Sequence, residues 1–219
     1  WLKDRDVHIW DEWEIDEEGI WKATQNVLGK DGKLEQREVV KDFGKKWAYT
    51  IGTAYGYIVN KFNLTDELID KIKNNPEDRR MVMSLWQNDY LDTAVLPSCV
   101  WSSEWDVTDG KLNAWVHQRS CDVPLGLPFN ITQYAVLLNM LAKTCDLKPG
   151  TLDWSIKDAH IYINQIDGIK EQIRRMDELG DYKAPELWLN PDVNDFFDYD
   201  NSRDCKDVKV LNYKHHGKI

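Results

Sequence analysis

A largely apolar stretch from Phe129 to about Cys145 constrains the fold of this chain more than any other feature. Apolar residues lie around the whole circumference of the helix that this stretch predicts, so it is too hydrophobic for a surface helix. Such a helix is stable only where other elements cover it. The sequence therefore predicts a buried central helix, within a single domain over residues 1–219 that has a sizeable core.

Strands are predicted on both sides of this helix. Residues 111–118 alternate apolar and polar side chains and follow a Thr108-Asp109-Gly110 turn, so with residues 99–107 they predict a β-hairpin. Further strands are predicted at residues 81–87, 151–158 and 206–213, and helices after Leu64 and over residues 166–176. Because the order lacks βαβ regularity, it indicates an α+β domain with one mixed or largely antiparallel sheet.

The first 46 residues have a different character. Trp1, Trp10, Trp13 and Trp21 lie among acidic side chains, which is typical of core tryptophans or of a flat platform for a ligand. Residues 22–46 are polar, with a turn signal at residues 29–32 and weak periodicity. We interpret residues 22–46 as a surface insertion.

Composition narrows the classes of function. A formal net charge of −10 argues against a binder of duplex nucleic acid, which needs a concentrated Lys/Arg face. A small anion remains a candidate ligand, because it needs only a few arginines. No stretch approaches the ~20 apolar residues of a membrane span, and no signal peptide is evident, so we expect a cytoplasmic protein. Four cysteines without CxxC spacing predict reduced thiols.

The densest chemical signal runs from Gln118 to Asn130 (QRSCDVPLGLPFN). It places a guanidinium, a hydroxyl, a carboxylate and an amide between a strand and the central helix. Loops held between rigid elements are where ligand-binding groups collect. From the residues alone, a binding site and an ordinary loop are equally good interpretations.

This run resembles the signature of thymidylate synthases, RSCD followed by LGLPFN. Four other stretches resemble that family in the same order along nearly the whole chain. They are IWDEW at residues 9–13, DRR at residues 78–80, LPSCV at residues 96–100 and DAHIY at residues 158–162. APELW at residues 184–188 is similar to the Gram-positive and phage branch of the family. The resemblance implies the family's fold, with a dimer formed through the sheet.

The resemblance implies reductive methylation of dUMP to dTMP, with methylenetetrahydrofolate as co-substrate, release of dihydrofolate and no metal. Cys99 would be the nucleophile that attacks C6 of uracil. Arg119 would supply the cation that favours a thiolate. Tyr55 would serve proton transfer at C5.

The implied nucleotide site has several parts. Arg119 and Ser120 would hold the phosphate of dUMP, since guanidinium groups suit a dianion. Arg79 and Arg80 would reach the phosphate across the interface of a homodimer. His160 and Tyr162 would bind the 3′-hydroxyl of deoxyribose. Cys121, Asp122 and Gly126 complete the set of substrate-binding residues.

Asn130 would select the base. A carboxamide can donate to O4 and accept from N3–H of uracil, whereas cytosine presents the opposite polarity at both positions. On the folate side the resemblance assigns Ile9, Trp10 and Trp13 to the ring pocket and Asp122 to the pterin. Trp10 would also favour a methyl over a hydroxymethyl product.

Each assignment has a simpler alternative. Cys99 could be a buried strand cysteine, Asn130 the N-cap of the central helix, and the tryptophans part of the core. Adjacent arginines such as Arg79 and Arg80 are most often a solvated pair. The family's N-terminal segment and closing C-terminal peptide have no counterpart here. The alternative functions are therefore a dUMP or dCMP hydroxymethylase and a truncated nucleotide-binding chain without turnover.

Overall fold

The computed structural model of the chain describes residues 3–218, so Trp1 lies outside the described residues. The chain divides into two compact units, one of Trp1–Leu64 with Leu85–Ser98 and one of Thr65–Ser84 with Cys99–Ile219. Each unit is described by itself, and the single domain over residues 1–219 stays a prediction. None of the helices in residues 3–218 is long and apolar enough to cross a membrane.

The first unit carries an antiparallel hairpin of β1 (Ile20–Leu28) and β2 (Leu34–Asp42). The polar stretch at residues 22–46 is therefore strand structure over most of its length, which we had not predicted because polar residues lie on both faces. One end of the hairpin joins a small core, because Trp21 packs with Ile15, Phe43 and Val95. Helix α1 (Tyr55–Lys61) belongs to the same unit.

The second unit is built on a four-stranded mixed sheet that follows α2 (Leu64–Asn74). Strands β3 (Val82–Ser84), β4 (Val100–Thr108) and β5 (Lys111–Gln118) are antiparallel. The predicted hairpin is confirmed, and its turn has positive φ at both Asp109 and Gly110, as a tight two-residue hairpin requires. The α+β class with a mixed sheet is confirmed.

The predicted central helix is α3 (Gly126–Thr144), which packs against this sheet. It begins three residues earlier than the predicted start at Phe129. Its buried residues lie in the C-terminal two thirds, from Tyr134 to Thr144. Phe129 is 75% exposed, so the prediction of burial along the whole helix is wrong for its first turns. After α3, β7 (Lys148–Ile156) joins the sheet parallel to β5.

Two short strands complete the surroundings of the site, β6 (Cys121–Asp122) and β8 (Ala159–His160), which pair in parallel. Helix α4 (Ile166–Leu179) confirms the predicted helix over residues 166–176. Strands β9 (Glu186–Leu189) and β10 (Val208–Leu211) form a terminal antiparallel pair. The predicted last strand is confirmed in β10, whereas β9 was missed because it spans only four residues.

Candidate active site

Cys99 lies one residue before β4, and Arg119 lies one residue after the antiparallel β5. The Arg119 backbone N–H donates to the Cys99 carbonyl at 2.8 Å, which holds the two residues side by side. Arg119 Nη2 lies 3.8 Å from Cys99 Sγ. A β-bulge follows directly, because the register shifts between Val100 and Ser102, and bulges commonly redirect side chains beside active sites. A cysteine and a cation are thus brought together at adjoining strand ends.

A second cysteine lies in the same region with a different environment. Cys121 is 1% exposed. Burial raises the pKa of its thiol, the negative charges of Asp122 and Cys99 add to the effect, and a hydrogen bond with Gln118 opposes it. Cys121 is therefore a neutral thiol at neutral pH, and of these two cysteines only Cys99 lies beside a guanidinium.

The segment after Arg119 is fixed to the distant motif at residues 158–162. The backbone N–H of Cys121 donates to Asp158 O at 2.8 Å, and that of Val123 donates to His160 O at 3.0 Å. The pairing of β6 and β8 sets Asp122 opposite His160. Two motifs that are far apart in the sequence, and that were both assigned to the nucleotide site, are thus neighbours.

Asp122 is held by two hydrogen bonds. Its Oδ1 accepts from the backbone N–H of Leu125 at 3.2 Å, just before α3 begins at Gly126. Its Oδ2 accepts from Gln165 Nε2 at 2.8 Å, and Gln165 Oε1 accepts from the Tyr162 N–H at 2.9 Å. Gln165 was not found from the sequence, because nothing in its local pattern marks a residue that contacts a carboxylate 43 positions away.

Asn130 lies in the second turn of α3, so the alternative that it caps this helix is wrong. Its Oδ1 accepts from Gln118 Nε2 at 3.1 Å. A Cβ at Gly126 would lie 3.8 Å from Asn130 Oδ1 and 3.6 Å from Asp122 Cβ, so Gly126 sits between these two polar residues. Ser120 offers its carbonyl to the same Gln118 amide at 2.9 Å.

His160 and Tyr162 form an edge-to-face pair with ring centroids 5.0 Å apart. His160 Nδ1 lies 3.7 Å from Asp158 Oδ1. Tyr162 is 54% exposed, so it is not a core residue. Both rings are therefore accessible to a ligand.

The arginine pair lies in the loop between α2 and β3. Arg80 forms an ion pair with Asp78 at 2.9 Å, which holds the pKa of the Asp78 carboxyl below its ordinary value. Arg79 is exposed and has no ion pair or hydrogen bond of its side chain within residues 3–218. Arg80 is 83% exposed in spite of its ion pair, so the guanidinium groups of both arginines are accessible to another molecule.

Of the residues assigned to the folate side, Ile9, Trp10 and Trp13 lie in the first unit, and Asp122 lies in the second. Trp10 and Tyr55 contact each other, with ring centroids 5.6 Å apart and planes tilted by 59°. Trp13 stacks on Trp21 at 5.4 Å and packs against the small core, so one of its ring faces is covered. Ile9 is largely exposed. The core interpretation therefore describes Trp13 in part, whereas Trp10 pairs with a predicted catalytic residue.

No cluster of three or more His, Cys, Asp or Glu side chains within residues 3–218 is arranged to hold a metal ion. The arrangement instead suits covalent chemistry on a small anionic ligand. A thiol beside a guanidinium supplies a nucleophile, and amide, imidazole and phenol groups nearby can read a polar ring and sugar.

The fold and the site define an α+β protein in which a cysteine thiol lies beside a guanidinium. The family model described as thymidylate synthase matches residues 1–219, and the chain belongs to the thymidylate synthase family. The thymidylate synthase of Clostridium beijerinckii is 44% identical over 218 residues, which cover 100% of this chain and 69% of the relative. The thymidylate synthase of Bacillus atrophaeus is 37% identical over 209 residues, which cover 91% of this chain and 88% of the relative.

A solved structure agrees with these relatives. The thermostable thymidylate synthase A of Bacillus subtilis superimposes with a TM-score of 0.77 at 36% identity, over 100% of this chain and 68% of that one. The predicted family and fold are therefore confirmed, and the chain is an enzyme of the methyltransferase class.

Proposed function

We propose that the chain converts dUMP to dTMP with methylenetetrahydrofolate as co-substrate, and that Cys99 is the nucleophile. The observation that carries the proposal is the 3.8 Å contact between Arg119 Nη2 and Cys99 Sγ, because a thiolate is the reactive form of cysteine and a nearby cation stabilises it. The sulfur adds to C6 of the pyrimidine, and the electron pair moves to C5, which then attacks the one-carbon unit.

The remaining steps balance without a further reductant. The proton at C5 must leave, and Tyr55 is the residue that we assign to the proton-transfer network. As this proton leaves, the bond between the one-carbon unit and the folate nitrogen breaks, which frees tetrahydrofolate and leaves an exocyclic methylene on C5. The tetrahydrofolate then transfers a hydride to this carbon and is oxidised to dihydrofolate, while the C5–C6 double bond re-forms and the sulfur leaves C6. The carbon arrives at the oxidation level of formaldehyde and leaves as a methyl group.

The phosphate of dUMP is assigned to Arg119 and Ser120, whose guanidinium and hydroxyl suit a dianion. His160 and Tyr162 are assigned to the 3′-hydroxyl. Their paired rings, half-buried at His160 and exposed at Tyr162, support this role, as does the strand pairing that sets His160 beside Asp122. Cys121 and Gly126 contribute to the same nucleotide site through the backbone of β6 and the first turn of α3.

Asn130 is assigned to the pyrimidine edge, where its amide would donate to O4 and accept from N3–H. On the folate side we assign Ile9, Trp10 and Trp13 to the ring pocket and Asp122 to the pterin. The hydrogen bond from Gln165 supports the last role, because it fixes the direction of the carboxylate.

We further infer a cytoplasmic homodimer that forms through the sheet. The outward face of β4 and β5 carries Trp101 and Trp115, which are 40% and 50% exposed. His117 lies between their rings, at centroid distances of 5.5 and 5.3 Å. Exposed aromatic clusters of this kind favour a protein interface. In such a dimer, Arg79 and Arg80 would reach the phosphate bound by the second copy. Analytical sedimentation of Trp101→Glu tests the dimer, and we expect this variant to be a monomer.

The activity is tested by incubating the purified chain with dUMP and methylenetetrahydrofolate. Dihydrofolate absorbance and chromatography of the nucleotide give the two products independently. Equal amounts of dihydrofolate and dTMP support the proposal. Hydroxymethyl-dUMP without dihydrofolate would instead identify a hydroxymethylase, and nucleotide binding without either product would identify a chain that binds without turnover.

A further inference from the structure

Three side chains from three elements form a partly buried hydrogen-bonded chain at the proposed nucleotide site, with the buried Gln118 at its centre. Trp154 Nε1 of β7 donates to Gln118 Oε1 of β5 at 3.0 Å. Gln118 Nε2 in turn donates to Asn130 Oδ1 of α3 at 3.1 Å. Gln118 is 3% exposed, so its amide cannot exchange these partners for water without cost.

The polarity of this chain is determined at its first member. An indole N–H can only donate, so the atom of Gln118 that faces Trp154 must be the oxygen. The Ser120 carbonyl can only accept, and it lies 2.9 Å from the other atom of the amide, which must therefore be the nitrogen. Two independent neighbours thus give the Gln118 amide one orientation. In a reversed amide, Gln118 Oε1 would face the Ser120 carbonyl oxygen, and two acceptors would meet without a hydrogen.

The orientation of Gln118 fixes that of Asn130. Because Gln118 presents N–H, the atom of Asn130 that meets it must be an acceptor, and Oδ1 is the only acceptor of that side chain. The Asn130 oxygen keeps a second lone pair that can accept from N3–H of uracil, and the amino group beside it can donate to O4. Uracil needs one donor at O4 and one acceptor at N3–H, whereas cytosine needs the reverse.

We propose that Trp154 is a positioning residue for base selection: through Gln118 it sets which atom of Asn130 reads the pyrimidine, and so favours uracil over cytosine. This inference rests on the proposed function of Asn130. Tyr134 helps to hold the Trp154 indole in place. Its buried ring packs edge to face against the indole, with centroids 5.5 Å apart and an interplanar angle of 84°. Nothing in the local pattern marks this role, since Trp154 follows the alternation of an ordinary strand.

The test is the ratio of dissociation constants for dCMP and dUMP, measured by calorimetry on the unmodified chain and on Trp154→Phe and Gln118→Met. The unmodified chain is expected to prefer dUMP. Each variant is expected to lower the preference about three- to tenfold, the value of one neutral hydrogen bond. Weaker binding of both nucleotides by the same factor would show a merely structural role and overturn the inference.

A double variant and a control sharpen the result. If Trp154 acts through Gln118, then Trp154→Phe has no further effect on the ratio in a Gln118→Met background. Trp105→Phe is the matched control, because the Trp105 indole donates to Ser103 Oγ at 3.0 Å within β4 and lies away from Gln118. It should leave the ratio unchanged, and additive effects in the double variant would contradict the inference.

A measurement on the unmodified chain tests the first hydrogen bond directly. The Trp154 indole N–H, identified by its loss in Trp154→Phe, should exchange slowly with solvent, and rapid exchange would overturn the hydrogen-bonded chain. The titration also separates this inference from the proposed function. No dUMP preference in the unmodified chain overturns both, whereas a preference that the variants retain overturns only the role of Trp154.

Discussion

Arg119 Nη2 lies 3.8 Å from Cys99 Sγ, and the Arg119 N–H donates to the Cys99 carbonyl at 2.8 Å. The backbone contact holds position 119 beside Cys99 whatever side chain stands there. The side chain at position 119 can therefore be varied without moving the cysteine along its strand end.

Replacing Arg119 should slow the reaction of Cys99 with iodoacetamide. A positive charge near the sulfur stabilises the thiolate, so Arg119→Gln is expected to lower the alkylation rate at pH 7 about tenfold. Arg119→Lys keeps the positive charge, so its alkylation rate should lie between those of the unmodified chain and Arg119→Gln. Peptide mass mapping at fixed times gives the rates, and an Arg119→Gln rate equal to that of the unmodified chain would contradict the role of the cation.

Cys121 should resist the same reagent. Burial raises the pKa of its thiol, as it does for Cys145, so the thiolate is scarce at pH 7 to 8 and the sulfur is also covered. Cys205 is exposed and serves as an internal reference. We expect Cys99 and Cys205 to be modified first and Cys121 only on unfolding. Modification of Cys121 ahead of Cys205 in the folded chain would contradict this order.

Glu171 should control how firmly the last described residues are held. Arg175 Nε donates to Glu171 Oε1 at 2.7 Å, and Arg175 Nη1 donates to the carbonyls of His216 and Gly217 at 3.0 and 3.1 Å. Glu171→Gln removes the charge that orients Arg175, so hydrogen exchange at residues 213–218 should become faster. Glu178→Gln is the matched control, because Glu178 pairs with Arg174 and has no contact with Arg175 among the interactions described.

The same contact has a defined pH dependence. Hydrogen bonds from Arg174 and Arg175 lower the pKa of Glu171 from 4.5 to about 2. Because the folded value is the lower one, the contribution to stability is complete above pH 4.5 and is lost as the pH falls toward 2. Exchange at residues 213–218 should therefore be insensitive to this group from pH 5 to 8, after correction for intrinsic rates. A transition near neutral pH that Glu171→Gln abolishes would contradict the assignment.

Gly52 should be far less tolerant of alanine than Gly32. Both have positive φ, 70° and 79°, but a Cβ at Gly52 would lie 2.1 Å from Thr93 O, whereas nothing lies within 4 Å at Gly32. Gly32→Ala should cost about 1 kcal/mol for the backbone conformation alone. Gly52→Ala should cost several-fold more by urea unfolding, since backbone must also move, and similar losses for the two variants would contradict the close approach.

The hairpin of β4 and β5 shows what the sequence specifies locally. Its alternation and its Asp109-Gly110 turn gave β5 with the bounds that the structure has, because strand pattern and turn chemistry agree there. The β1–β2 hairpin was missed because its strands are polar on both faces, so period-two alternation is absent. The first turns of α3 were predicted to be buried but are exposed. Hydrophobicity predicts that a helix needs burial, but it does not show which element would bury it.

The residues of the candidate site likewise fall into those that the sequence predicted and those that it did not. Cys99, Arg119, Asp122 and His160 were all found through short motifs, and the structure brings these four residues of the second unit into one neighbourhood. Gln165 and Trp154 were missed, because their roles depend on tertiary contacts of an ordinary-looking helix entry and strand. Short motifs thus mark the candidate site residues, and the side chains that orient them appear only in the fold.

The central claim, that Cys99 is the nucleophile, is tested most directly by mass spectrometry after incubation with 5-fluoro-dUMP and methylenetetrahydrofolate. Fluorine at C5 cannot leave as a proton does, so the covalent intermediate should accumulate. We expect the intact mass to rise by the sum of both ligands, with the adduct on the peptide that contains Cys99 and none in Cys99→Ala. A folded chain without an adduct, or an adduct that persists in Cys99→Ala, would contradict the account.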